Sequence, residues 1–185
     1  MVKKSYLMFF VFFVLLLILP KKAYSYQNAS GSSAALETEL VTKAQDNRAK
    51  ILKKFLDKYN SPLAQYSNVF VKKADDYNLD WRLVASISGV ESTFGKHIPY
   101  NSYNGWGWGV YGDNVIYFSS WEDAIDTVSK GLRENYLNKW KATDIYEIGR
   151  IYAASPRWAG NVTYFMEKIR EFEYQNQITH LSISI

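Results

Sequence analysis

The chain has 185 residues, no cysteine and a formal net charge of +4 at neutral pH. This length suits one domain with a leader, and the lack of cysteine excludes disulfides and thiolate metal sites. The first 25 residues hold four lysines and no acid; subtracting them from the 22 basic residues leaves 18, equal to the 18 acidic residues. The basic character therefore belongs to the N-terminus, and no nucleic-acid partner is expected.

The N-terminus has the pattern of a secretory leader. Lys3 and Lys4 precede an unbroken apolar run of 13 residues, Leu7–Leu19, which is shorter than the roughly 20 residues of a membrane span. Small residues in Ala23–Ser25 offer a cleavage site after Ser25. We expect residues 1–25 to be a signal peptide and the protein to be secreted or held in the cell envelope. The alternative is an uncleaved anchor, which would give the protein its contact with a membrane.

Residues 26–60 are predicted to be a polar linker followed by a helix over about 36–59. Ser61 followed by Pro62 is a helix start, with a capping residue and then proline at the first position. It predicts a helix over 62–77. The domain itself is predicted to cover residues 61–172, with a loose tail over 173–185.

The next predicted helix carries the most informative acid of the chain. Asp80 is expected to cap its start and Gly95 to end it in a left-handed conformation. Its apolar residues fall on one stripe, and Glu91, the only acid in the body of the helix, lies beside that stripe. A carboxyl group against apolar surface loses hydration and gains a higher pKa, as a general acid requires. The alternative is a solvated glutamate on the last turn.

Residues 96–119 are rich in Gly, Asn and Pro and predict a loop with a small hairpin around Val115–Phe118. Ser120 then opens a capping box and a helix with one apolar stripe: Trp121, Ile125, Val128, Leu132 and Tyr136. A further helix should run from Thr143 or Asp144 to about Ala153. Ser155 and Pro156 should start the last helix, which is expected to end near Phe172. The predicted fold class is mainly α with one small β-hairpin insertion.

The segment Asn101–Gly109 places glycines between aromatic residues. Trp106 and Trp108 alternate with them, so both indoles would face one side if this stretch were extended, which suits a polysaccharide ligand. The alternative is a turn that buries both indoles. Gly107–Gly112 has the spacing of a dinucleotide-binding loop, but no strand precedes it and no helix follows, so we reject that reading. The two histidines, at positions 97 and 180, have no ligand spacing, and neither a metal nor a cofactor is expected.

Four segments in this order resemble a known family. They are Glu91–Lys96, the aromatic loop Asn101–Gly109, Phe118–Ile125 and Tyr152–Ala159. Together they resemble the lysozyme-like endo-β-N-acetylglucosaminidase domain of bacterial autolysins and flagellar muramidases, also named for mannosyl-glycoprotein endo-β-N-acetylglucosaminidase. The related lytic transglycosylases are similar. The resemblance covers about residues 61–172 and implies a lysozyme-like α+β fold.

The resemblance also implies the ligand and the site. The ligand would be the glycan strand of bacterial peptidoglycan, and Glu91 would be the catalytic acid, with Tyr152 orienting the sugar or stabilising charge. The side chains expected to contact the glycan are those of Asn101, Asn104, Trp106, Trp108, Tyr152 and Trp158.

The second carboxylate is less defined. Asp113, in the expected hairpin, is the first choice, and Glu122 and Asp123 are the others. A hydrolase of the glucosaminidase type would use such a group as base or nucleophile. A further route needs no second acid, because the N-acetyl group of the substrate or an internal hydroxyl captures the cation. Capture by the hydroxyl gives an anhydro sugar and makes the protein a lytic transglycosylase. The third reading is a wall-binding module without catalysis.

Overall fold

Helices build most of the part of the chain that the structure describes. The structure is a computed structural model that describes residues 47–109 and 114–183, with side chains described up to Ile178. The expected leader, residues 1–25, and the expected linker from residue 26 lie outside the described residues. No helix within the described ranges is both long and apolar enough to cross a membrane.

The first described helix, α1, covers residues 47–57 and packs on the rest of the fold. Leu52, Phe55 and Leu56 are buried, and the Phe55 ring meets the Phe94 ring edge-on at 5.8 Å between centroids. The apolar residues at this spacing lie on one face of a helix. Residues 47–57 therefore belong to the main core.

Ser61 makes two contacts at the start of the next element. Its Oγ accepts a hydrogen bond from the Leu63 backbone N–H at 3.0 Å and donates one to the Phe94 carbonyl at 2.7 Å. The predicted helix start is confirmed. A 3₁₀ turn, Pro62–Tyr66, comes first and the α-helix α2, Ser67–Asp76, follows it. The predicted helix over 62–77 thus begins with a tighter turn.

Helix α3, Leu83–Ser92, lies in the centre of the fold and packs along the last helix. Every residue from Leu83 to Gly89 is buried. Asp80 Oδ1 accepts from the Arg82 backbone N–H at 2.9 Å. The capping residue is Arg82, whose side chain makes no capping bond, so Asp80 orders the turn before the helix and does not occupy the predicted capping position.

The end of α3 differs from the prediction. The helix stops at Ser92, and three residues in a row then take left-handed backbone angles: Thr93 at φ +52°, Phe94 at φ +59° and Gly95 at φ +79°. This path turns the Phe94 ring into the core, where it is fully buried and lies 4.5 Å from the Tyr59 ring and 4.9 Å from the Phe165 ring, between centroids. Burial of that ring, about 1.5–3 kcal/mol, helps offset the cost of left-handed non-glycine residues.

Helix α4, Trp121–Gly131, follows the loop and begins as predicted. Ser120 Oγ accepts from the Asp123 backbone N–H at 3.2 Å. The predicted apolar stripe is confirmed for Trp121, Ile125, Val128 and Leu132, which are all buried. Its fifth member, Tyr136, is partly buried against the core.

After α4 the chain widens into a π-helical segment, Leu132–Lys139. Helix α5, Ile145–Tyr152, is capped by Asp144, whose Oδ1 accepts from the Glu147 N–H at 2.8 Å. Glu147 in turn accepts from the Thr143 N–H at 2.7 Å. Both residues proposed for this helix start therefore take part in it.

The last helix, α6, covers Trp158–Ile183. The predicted end near Phe172 and the predicted loose tail over 173–185 are wrong as far as Ile183. The sequence from Glu173 to Ile183 has neither glycine nor proline, and Glu, Gln, Leu and Ile sustain a helix without a strong break.

The loop between α3 and α4 contains no extended strand among its described residues. Asn114 takes part in an isolated bridge, and Val115–Phe118 have no strand pairing. The expected hairpin falls partly on residues 110–113, which lie outside the described residues. As described, the fold is mainly helical.

Candidate functional site

Glu91 lies on the last turn of α3 and its carboxyl group contacts the N-terminus of α6. Its Oε1 accepts a hydrogen bond from the Trp158 indole Nε1–H at 2.6 Å. The residue as a whole is exposed, but loss of hydration around the carboxyl raises its pKa, and the hydrogen bond from Trp158 offsets part of that rise. The proton is therefore held to a higher pH than on an ordinary glutamate.

Gly107 brings the backbone of the aromatic loop to the other side of this carboxyl. A Cβ atom at position 107 would lie 3.3 Å from Glu91 Oε2. The residue has a φ of +59°, an angle that glycine adopts without strain. A side chain here would both strain the loop and crowd the carboxyl.

Trp158 is 3% exposed, which corrects its expected role as a contact for a ligand. Its indole is stacked on the Tyr152 ring at 4.7 Å and an interplanar angle of 23°, and its N–H is directed to Glu91. The first turn of α6 holds the ring between α5 and the carboxyl. Trp158 is therefore a positioning residue for Glu91.

Tyr152 links the site to the core. Its hydroxyl donates to the Trp106 carbonyl at 2.7 Å. Burial, with further contributions from the charges of Glu91 and Tyr136, raises the pKa of the phenol well above its ordinary value. The hydroxyl stays protonated and its one proton is donated to the loop backbone, so Tyr152 fixes the loop and offers the site its ring.

Trp106 is fully buried, so the expectation that its indole contacts a ligand is wrong. Its Nε1–H donates to the Val84 carbonyl at 2.8 Å, and its ring lies 6.1 Å from the rings of Phe70 and Trp121. The alternation of Trp106 and Trp108 assumed an extended chain. Left-handed angles at Gly107 and Gly109 break that alternation, and the two indoles take different environments.

Asn104 is also buried, at 3% exposure, so the expectation that its side chain contacts a ligand is wrong. Its amide nitrogen donates to the carbonyls of Trp108 at 2.9 Å and Ile116 at 3.1 Å, and its amide oxygen accepts from the Trp108 N–H at 2.9 Å. One side chain thus closes the loop around Trp108. Asn101 is exposed with a φ of +55° in the turn that leads into the loop.

Trp108 forms one wall of a cavity of about 300 Å³. Its ring lies 5.9 Å from both the Tyr136 and Tyr152 rings, and Tyr136 meets Trp140 edge-on at 4.9 Å. The lining includes Gly107, Trp108, Asn135, Tyr136, Trp140 and Tyr152. Gly107 lines this cavity and also lies against the Glu91 carboxyl group, so the cavity and the proton donor share one neighbouring residue.

Three of these lining residues were not among the expected site residues. Tyr136 was placed on the core stripe of its helix, and Asn135 and Trp140 were not singled out. The sequence places two aromatic residues, Tyr136 and Trp140, close together in the segment Asn135–Trp140. The period of an α-helix did not predict that they would line a cavity.

The three residues considered for a second carboxylate differ in where the structure places them. Asp113 lies outside the described residues. Glu122 is exposed on the first turn of α4. Asp123 accepts from the backbone N–H of Ser119 at 3.0 Å and from its hydroxyl at 2.9 Å, and these bonds lower the pKa of its carboxyl. Asp123 is therefore engaged in closing the start of α4.

Ser92 was also missed by the sequence reasoning, although it directly follows Glu91. It is buried, and its Oγ donates to the Gly105 carbonyl at 2.7 Å and accepts from the Gly95 N–H at 2.8 Å. This side chain ties the end of α3 to the aromatic loop. It fixes the relation between Glu91 and Gly107.

In the described ranges no group of three or more His, Asp or Glu residues is arranged to hold a metal ion. The site is thus described by a carboxyl group with a raised pKa, an indole donor and an aromatic cavity. Such a set can deliver a proton to a ligand held by flat apolar surfaces. No protein-family model matches this chain, and no curated protein matches it.

Proposed function

We propose that this protein cleaves the glycan strands of bacterial peptidoglycan in the cell envelope, with Glu91 as general acid. The observation that carries the proposal is the Glu91 carboxyl group, which has a raised pKa and an indole donor on one oxygen, beside an aromatic cavity. The order of sequence motifs supports the same activity and a lysozyme-like arrangement of the helices. Clustering of a perturbed acid with a cavity favours an active site over a solvated surface.

In the first step, protonated Glu91 donates its proton to the glycosidic oxygen while the bond from that oxygen to the anomeric carbon breaks. The electron pair of the bond goes to the leaving oxygen, and positive charge develops on the remaining sugar ring. Glu91 becomes a carboxylate, which the Trp158 N–H stabilises at Oε1. Trp158 therefore both holds the acid in place and limits how far its pKa rises.

In the second step, the cationic sugar is captured by an oxygen nucleophile. Attack by water gives hydrolysis and a new reducing end, and the proton that the water releases restores the protonated form of Glu91. Attack by the hydroxyl of the same sugar gives an anhydro ring and makes the reaction a transglycosylation. We favour hydrolysis of the bond that follows N-acetylglucosamine, the outcome that the motif resemblance implies.

The test compares purified wild-type protein with Glu91→Gln on isolated peptidoglycan sacculi. The glutamine keeps the shape and the acceptor for the Trp158 N–H but carries no transferable proton. We expect the rate of fragment release to fall by roughly 10²–10⁴-fold. The matched control is Glu171→Gln, an exposed glutamate on α6 that pairs with Lys168, which should keep the wild-type rate.

Mass spectrometry of the released fragments identifies the reaction. Reducing N-acetylglucosamine ends support the proposal, and anhydro ends assign the same acid to a transglycosylase. Release at the wild-type rate by Glu91→Gln would overturn the role of Glu91. Binding of sacculi by wild-type protein with no sugar released would overturn catalysis and leave a wall-binding module.

A further inference from the structure

The cavity beside Glu91 has a wall made by an unusual helix. Asn135 and Tyr136 belong to the π-helical segment Leu132–Lys139, and Trp140 directly follows it. The Trp140 backbone N–H donates to the Asn135 carbonyl at 2.8 Å, a bond across five residues. π-helical turns are rare and occur frequently at functional sites. This wall is therefore a candidate for a binding role that is separate from the proton donor.

Trp140 is 46% exposed at this cavity. Its ring is held edge-on against Tyr136 at 4.9 Å, and the Lys139 ammonium lies 5.9 Å from its centroid. A large aromatic side chain with an open face beside a cavity loses water-exposed apolar area when a ligand covers it. The Trp140 ring is thus exposed at this wall, and the Tyr136 ring packs against it.

The chemistry of the lining matches a sugar ring that carries an acetamido group. A pyranose has an apolar face of C–H groups, which packs on flat aromatic surfaces, and a polar edge of hydroxyl groups. Tyr and Trp offer both an apolar face and a polar tip, and the Asn135 amide can both donate and accept. Ile151, which also lines the cavity, offers apolar surface for a methyl group.

The distance to the acid fixes where such a ring would lie. Gly107 lines the cavity, and a Cβ atom added to it would lie 3.3 Å from Glu91 Oε2. This one residue thus borders both the cavity and the carboxyl group. A sugar ring in the cavity would on this count be a neighbour of the bond that Glu91 would protonate.

We propose that the cavity formed by Trp108, Asn135, Tyr136, Trp140 and Tyr152 binds one N-acetylhexosamine ring of the glycan next to the cleaved bond, with Trp140 as its principal contact. The inference rests on the proposed function for the identity of the glycan. It adds three residues that determine substrate binding, Asn135, Tyr136 and Trp140, and it assigns the π-helical segment the task of presenting them.

The test measures binding without turnover. The probe is a soluble tetramer of N-acetylglucosamine, titrated by calorimetry into the Glu91→Gln protein. Adding Trp140→Ala should weaken its binding at least tenfold, which corresponds to about 1.4 kcal/mol. Adding Trp140→Phe should restore part of the affinity, because a flat ring returns. Tyr174→Ala, which removes an exposed ring from α6, is the matched control and should change nothing.

A second measurement uses the catalytically intact protein on sacculi. Trp140→Ala should raise KM and leave kcat within a few-fold, since the residue binds the sugar and does not touch the reacting proton. Circular dichroism checks that each variant is folded. Partial recovery of affinity by Trp140→Phe is a readout that loss of folding would not produce.

The outcomes separate this inference from the proposed function. If the tetramer does not bind, or binds equally to the Trp140→Ala and Tyr174→Ala proteins, the sugar site is overturned even where Glu91→Gln abolishes cleavage. If Trp140→Ala loses the tetramer while Glu91→Gln still cleaves sacculi, the sugar site stands and the role of Glu91 fails. Displacement of the tetramer by a sugar-free stem peptide would also overturn the inference.

Discussion

The Trp158 indole N–H donates to Glu91 Oε1 at 2.6 Å, across 67 positions of sequence. The contact joins the last turn of α3 to the first turn of α6. Two opposing effects act on the pKa of Glu91. Loss of hydration raises the pKa of the carboxyl, and the donor N–H lowers it. The balance sets the pH at which the proton is available.

We expect Trp158→Phe to move the alkaline limb of the pH profile of kcat/KM to higher pH. The phenyl ring keeps the stacking surface for Tyr152 but has no N–H, so the carboxylate loses a stabilising donor and its pKa rises further. The proton donor must be protonated to act, and activity then persists to higher pH. Trp81→Phe, a matched change away from Glu91, should leave the limb in place. A shift to lower pH would contradict this account.

Glu91→Gln is expected to change the pH dependence of stability. The folded pKa of Glu91 is raised above its unfolded value, so the folded state binds more protons in the interval between the two values. Wild-type stability therefore falls, relative to Glu91→Gln, as pH rises through that interval, and the difference stays constant above it. Urea unfolding at a series of pH values measures it. A difference that does not change with pH would show that the carboxyl is not desolvated.

Asp126→Asn gives the control of opposite sign. Although burial acts to raise it, the pKa of Asp126 is lowered by bonds from Lys73 at 2.6 Å and the Tyr77 hydroxyl at 3.0 Å. The folded state releases the Asp126 proton more readily than the unfolded state does. The wild type therefore gains stability relative to this variant as the pH rises from the lowered pKa of the folded state to the ordinary pKa of an aspartate. The two variants should diverge from wild type in opposite directions.

Gly107→Ala is expected to lower both stability and activity. The left-handed angle should cost roughly 1–2 kcal/mol for a residue with a side chain, and the new methyl group would lie 3.3 Å from Glu91 Oε2. Gly160→Ala is the matched control, because apart from its chain neighbours and the backbone of its own helix nothing lies within 4 Å of its Cβ position on α6. That change should stabilise by about 0.5–1 kcal/mol at unchanged activity. Denaturation midpoints measure the stability of the two variants, and turnover on sacculi measures their activity. Equal effects of Gly107→Ala and Gly160→Ala would refute the close approach of Gly107 to Glu91.

Helix starts and the stripe of α4 were predictable from sequence because the signals are local. Ser61, Ser120 and Asp144 each accept from a backbone N–H two or three residues ahead, a relation that spacing alone specifies. The position of Glu91 beside an apolar stripe follows in the same way from the helical period. Its partner Trp158 was placed near the cleft only by the resemblance.

The aromatic loop was not predictable, since its path depends on contacts distant in sequence. An extended chain would put Trp106 and Trp108 on one side, but the Trp106 N–H finds the Val84 carbonyl in α3 and the indole enters the core. Tyr136 was predicted as a core residue from the period of an α-helix. The π-helical segment changes that period after Leu132, and Tyr136, which is partly buried against the core, also lines the cavity with Trp140.

The widened turn between Leu132 and Lys139 makes the cavity wall sensitive to chain length. Each residue of an α-helix advances by about 100°, and a π-helical segment advances by less, so deleting one residue within the segment would let it return to α-helical winding and change the directions of Asn135 and Tyr136. The helix would remain, and we expect the rest of the architecture to persist with it. One codon gained or lost is then enough to create or abolish this wall, which makes ligand preference adjustable by a single insertion or deletion without rebuilding the catalytic helix.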